Sequence, residues 1–129
     1  MMERAATSRE AAMFEVMDTK IMITRGDSGA AELILKRKKD HTIYEPVQGD
    51  SIIFAVKSKL NAARTEYIEE KPLVSKEISV SDMTLKLEPE DTKGLKFGSY
   101  YYDVEVTLSD GRVDTVINNA PFIVLPEVV

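Results

Sequence analysis

Residues 100–108, YYYDVEVTL, alternate without a break. Tyr100, Tyr102, Val104, Val106 and Leu108 fall on one side of an extended chain, and Tyr101, Asp103, Glu105 and Thr107 on the other. A period of two gathers the apolar residues on one face of a strand, with a polar face opposite. A helix would scatter the same residues around its axis. Such a strand needs partners, and the chain supplies one at once. Ser109-Asp110-Gly111-Arg112 reads as a hairpin turn, because Asp-Gly tolerates the positive φ that tight turns require. The extended pattern then resumes from Val113 to Val124. Asn118, Asn119 and Pro121 interrupt it, which predicts a bulge or a sheet edge there.

The same period recurs upstream. Ile21 and Ile23 alternate with Met22 and Thr24, and Arg25-Gly26-Asp27-Ser28-Gly29 reads as a turn. Ala31, Leu33 and Leu35 alternate with Glu32, Ile34 and Lys36. Ile52, Phe54 and Val56 oppose Ile53, Ala55 and Lys57. Two further strands are read over residues 73–80 and 83–87, the second with Leu85 and Leu87 inward. Glu88-Pro89-Glu90-Asp91-Thr92 breaks the pattern. Proline suits the first position of a helical turn, and acidic residues suit its positive end. Residues 40–50 read as a loop and 59–72 as a long connection.

About seven strands with one-sided alternation predict an all-β fold, a two-sheet antiparallel sandwich. The first and the interrupted last strands are its expected edges. Residues 1–17 differ: Ala5, Ala6, Ala11 and Ala12 sit among Met, Glu and Arg, without Pro or Gly. They read as an N-terminal arm, either a short helix or a loose segment, ahead of a sandwich domain over 18–129.

Composition removes several chemistries. A chain of 129 residues fits one domain and can bury a core without a covalent staple. The absence of cysteine excludes disulfides, thiolate zinc sites and cysteine nucleophiles. A formal net charge of −5 argues against nucleic-acid backbone binding. The basic run Lys36-Arg37-Lys38-Lys39 ends a predicted strand and meets Asp40, so it reads as a solvated strand end. No apolar run approaches the roughly 20 residues that span a bilayer. Glu3, Glu10 and the lack of an apolar run give the N-terminus no signal-peptide character.

His41, the single histidine, stands between Asp40 and Thr42 and has no nucleophile partner in the sequence. Arg25-Gly26-Asp27 is what a strand-to-strand turn prefers, and integrin binding is not read from it. The carboxylates lack the spacing around a fixed glycine that calcium loops use. No phosphate-cradling glycine loop is present. The expectation is therefore no enzyme activity, no catalytic residue, no metal and no cofactor.

Two stretches carry a family resemblance. They are residues 19–27, TKIMITRGD, and residues 84–110, TLKLEPEDTKGLKFGSYYYDVEVTLSD, continuing to Pro121-Phe122-Ile123-Val124. The pattern resembles immunoglobulin-like structural domains of tailed phages and prophages. It is similar to the N-terminal domain of baseplate upper proteins and related tail or neck accessory proteins. The resemblance covers residues 18–126 and is strongest over 85–108. It implies an immunoglobulin-like sandwich and a non-enzymatic structural or assembly subunit of a phage particle. It also makes Pro89-Glu90-Asp91-Thr92 a corner between sheets, with Tyr100 or Tyr102 placed to hydrogen-bond back to that corner's backbone.

Implied partners are other phage structural proteins or copies of the chain itself, as a homo-oligomer, with neither nucleic acid nor membrane. The implied location is the virion, or the host cytoplasm during assembly. Candidate contact residues are Tyr101, turned away from the core; Met22 on the first strand; and Tyr67 in the long connection. The alternative is a bacterial carbohydrate- or surface-binding sandwich, with Tyr101 stacking on a sugar.

Overall fold

The computed structural model describes residues 13–16, 20–58 and 71–127. Nine strands and one short helix fall within them. In chain order these are β1 (Phe14–Glu15), β2 (Ile21–Thr24), β3 (Gly29–Glu32), β4 (Lys36–Arg37), β5 (Ser51–Lys57), β6 (Val74–Glu77), β7 (Thr84–Leu87), α1 (Pro89–Lys93), β8 (Gly98–Thr107) and β9 (Val113–Leu125). Five form one sheet in the order β2-β9-β8-β5-β6. The pairs β3-β7 and β1-β4 complete a sandwich-like, all-β arrangement.

The alternation around Tyr102 explains the centre of the large sheet. Tyr102, Val104 and Val106 are buried, facing Phe54 and Ile52 on β5 and Phe122 and Val124 on β9. Phe54 packs its ring on Tyr102 at 5.3 Å and on Phe122 at 6.0 Å. Burying one such side chain contributes roughly 1.5–3 kcal/mol. Leu33, Leu35, Leu85 and Leu87 close the core from the opposite side.

Turn chemistry follows the sequence. Leu108 accepts from the Gly111 N–H, and Gly111 has φ 95°, so a tight turn ends in a left-handed glycine. Pro89 opens α1, and the Glu88 and Asp91 side chains cap it reciprocally. Register slips opposite Val104 place two bulges in β9, one spanning Asn118 and Asn119. Asn119 takes a φ of 61° there.

Four expectations are corrected. The sheet is not antiparallel throughout, since β2 runs parallel to β9. Alternation fixes which face is buried and carries no strand direction. Only neighbours joined by a hairpin are forced to be antiparallel. Secondly, the last strand is an edge for only part of its length. From Phe122 onward β9 is covered by β2, while Pro121 lies one residue short of that ladder, where its missing N–H costs no bond.

The third correction concerns residues 14–15, assigned to the arm on sequence. They form β1, with Phe14 in the core and its ring 4.9 Å from Tyr44. They are strand, not helix; residues 1–12 lie outside the described residues. Finally, the single strand read over 31–36 is split. β3 pairs with β7, and β4 pairs with β1.

Candidate contact surface

The two-residue period assigns an outer face to the five-stranded sheet. Met22 stands beside Ile123, and Thr24 beside Leu125. Pro121 stands opposite Tyr101, which stands opposite Lys57. These partners share the side away from the core, because Ile23, Phe122, Tyr102 and Val56 between them are buried. The structure thus brings two candidate residues to one surface. Met22, 52% exposed, and Tyr101, half-buried, are linked by Ile123 and Pro121. Tyr67 lies outside the described residues.

The far half of the same face is acidic, with Asp103, Glu105 and Glu77. Asp103 is held from two sides. Its Oδ2 pairs with Lys57 Nζ at 2.7 Å, and its Oδ1 accepts from the Asn119 N–H at 2.8 Å. The β9 bulge thereby gains a fixed partner. The face is an apolar strip of Met22, Ile123, Pro121 and Tyr101 that ends at a Lys57–Asp103 pair.

The turn after β2 and the corner before β8 are one structure. Thr92, fully buried, accepts from the Gly26 N–H at 2.8 Å. Arg25 donates from Nε to the Lys93 carbonyl at 3.1 Å and lies 5.5 Å over the Phe97 ring. Its Nε is also 3.8 Å from Glu127. Gly26 has φ 85°, which suits the turn closed by the Asp27 N–H and the Thr24 carbonyl. Arg25 is therefore engaged inside the fold. Tyr100 donates its hydroxyl to the Lys96 carbonyl at 2.7 Å. Tyr102, the other residue considered for that bond, is buried in the core.

Two buried carboxylates also work inward. Asp50 accepts from the Tyr44 hydroxyl at 2.6 Å, the Val47 N–H at 3.0 Å and the Ser109 N–H at 2.9 Å. Burial pushes its carboxyl up, but these donors outweigh it and hold Asp50 below the usual carboxylate range. Burial, and then the hydrogen bond to Asp50, pushes the Tyr44 phenol up to about 12. Asp114 accepts from the Met13 and Phe14 N–H groups, both at 3.0 Å, and so holds β1 in place.

His41 Nδ1 lies 2.6 Å from Glu15 Oε1, on an exposed hairpin. Lys36 and Arg37 sit in β4, and the run continues into the turn after it. A cleft of about 620 Å³ opens into the sandwich past Ile21, Leu33, Phe54, Ile78, Leu85 and Ile117, with an apolar lining. Among the described residues no group of three or more His, Cys, Asp or Glu side chains could hold a metal ion. No described helix is long and apolar enough to cross a membrane.

Sequence reasoning missed Ile123 and Pro121 as members of the surface. Simple alternation counted from Val113 finds them, because the two one-residue bulges cancel and leave Pro121 and Ile123 on the outward side with Val113. No family model matches the chain, and no curated protein matches its sequence.

Proposed function

We propose that this chain is an immunoglobulin-like, contact-making subunit of a tailed-phage or prophage particle. Three features support the immunoglobulin-like part. β5, β8 and β9 form an antiparallel core sheet, with β3 and β7 paired opposite. A helical turn, α1, carries the chain from β7 to β8. The Tyr100 hydroxyl bonds back to the backbone four residues upstream, the arrangement of a tyrosine corner.

The observation that carries the contact-making role is the outer strip of Met22, Ile123, Pro121 and Tyr101. Solvated sheet faces favour polar residues, and an aromatic and a methionine among rigid aliphatic neighbours suit a protein partner. The assignment to a particle rests on the sequence resemblance. The same elements give it a physical role, since the turn at Gly26 and the corner at Thr92 brace the C-terminal end of β2, the strand that carries Met22. The partners are neighbouring particle proteins or further copies of the chain, met in the virion or in the host cytoplasm during assembly.

The test is fractionation of particles induced from the source strain. The chain should co-sediment with gradient-purified particles at a fixed ratio to the major structural protein. Recovery only in the soluble fraction, with none in washed particles, overturns the reading.

A further inference from the structure

We propose that β2 is a self-pairing edge, joining two copies of the chain through antiparallel β2–β2 contact across a two-fold axis. This deepens the contact-making reading by naming one partner, a second copy, and it rests on that reading.

The two outer strands of the five-stranded sheet are built differently. β6 carries Lys76 and Glu77, and Lys76 turns back to bond Asp91 at 2.7 Å. Charges of this kind blunt an edge against strand addition. β2 is Ile-Met-Ile-Thr, with no charge, proline or glycine. It has none of the devices that protect β6.

Backbone direction fits the same picture. The Arg25 N–H donates to the Leu125 carbonyl at 3.0 Å. Bonding alternates along a parallel pair, so Ile21, Ile23 and Arg25 address β9. Met22 then points its N–H and carbonyl to the open side, as Thr24 does its N–H. The Thr24 carbonyl is taken by Asp27. On the open side, β2 and β3 line a cleft of about 300 Å³ that includes Ala30 and Ala31.

Self-complementarity selects the partner and its direction. Lys20 precedes β2 and Asp27 follows it, both exposed. Antiparallel pairing sets Lys20 of one copy opposite Thr24 of the other, and no charge lies within the paired strands. An axis through Met22 sets Met22 opposite its own copy, exchanging both open backbone groups, and Ile21 opposite Ile23. Every side chain keeps its own face, as a two-residue period demands. The contact is isologous and closes as a dimer.

Sedimentation of the full chain over rising concentration tests this. The mass should climb from 14.5 kDa toward twice that value. Amide exchange at Met22 and Thr24 should slow as the dimer fills. Met22→Lys, at an exposed position, sets two like charges face to face and should weaken dimerisation by about tenfold or more. Ser75→Lys on β6 should leave it unchanged. A mass fixed at 14.5 kDa throughout, or a Met22→Lys variant that dimerises as the parent does, overturns the proposal. If Met22→Lys does not fold, the parent's exchange decides, and rates at Met22 and Thr24 that ignore concentration overturn it. A monomeric chain that still co-sediments with particles removes the dimer alone; a dimer absent from particles removes the particle reading alone.

Discussion

Replacing Asp50 with alanine removes a buried carboxylate that three donors share. Its two oxygens accept from Tyr44, Val47 and Ser109, tying the loop before β5 to the hairpin between β8 and β9. The Tyr44 hydroxyl is half-buried and can turn to water. The Val47 and Ser109 N–H groups are fixed in the backbone and cannot. A buried donor left without a partner costs roughly 1–3 kcal/mol. Both N–H groups lie near the surface, where water offsets part of that cost, so the lower end applies to each. The total is about 2 kcal/mol, which for a chain of this size lowers the melting temperature by roughly 8 °C. Tyr44→Phe removes one bond and should cost about 1 kcal/mol.

The pH dependence has a definite sign. Asp50 is held below its unfolded value, so its contribution is present above the ordinary aspartate range near 3.9. It fades as pH falls through the lowered folded value. The alanine variant should therefore lose less stability than the parent over that acid window. Thermal melting followed by circular dichroism at neutral and acid pH measures both effects. An Asp50→Ala variant melting within about 2 °C of the parent at neutral pH refutes the assignment of these bonds.

Thr92→Val keeps the buried shape but leaves the Gly26 N–H without its acceptor; it should cost about 1–2 kcal/mol in chemical denaturation, with Thr92→Ser markedly milder. Asp114→Ala frees the Met13 and Phe14 N–H groups and should speed their hydrogen exchange by about tenfold or more, with core amides of β8 slowed as in the parent. Exchange at Phe14 unchanged in that variant would mean the Asp114 bonds do not protect β1, leaving its pairing with β4 and the Phe14 side chain to hold it.

The sequence made the large sheet legible because its strands obey one rule. Ile52, Phe54 and Val56, like Tyr102, Val104 and Val106, alternate strictly and are buried as read. The interruption at Asn118, Asn119 and Pro121 was also legible, since each residue has a stated backbone reason to disturb a ladder. β1 was not legible. Two residues carry no period, and Phe14 lies in an alanine-rich stretch whose local preference is helical. Asp114, a hundred positions away, is what gives the Met13 and Phe14 N–H groups an acceptor. The parallel entry of β2 was hidden for a related reason, as it depends on the path of the chain between sheets.

Of the candidate surface, Met22 and Tyr101 were named from the sequence, but nothing local said that they share a face. That follows from register. Pro121 stands opposite Tyr101, and Met22 beside Ile123. The Arg25-Gly26-Asp27 turn and the Glu90-Asp91-Thr92 corner were separate motifs on sequence. Their union through the Gly26–Thr92 bond is a tertiary fact.

Hydroxyl-radical footprinting of the chain, free and within purified particles, tests the central claim most directly. Methionine and tyrosine are read individually, and Met22 and Tyr101 lie on the proposed contact strip. The account expects both residues to be oxidised in the free chain and protected in the particle, with Tyr100 on the opposite face changed little. Equal oxidation of Met22 and Tyr101 in the two states would contradict it.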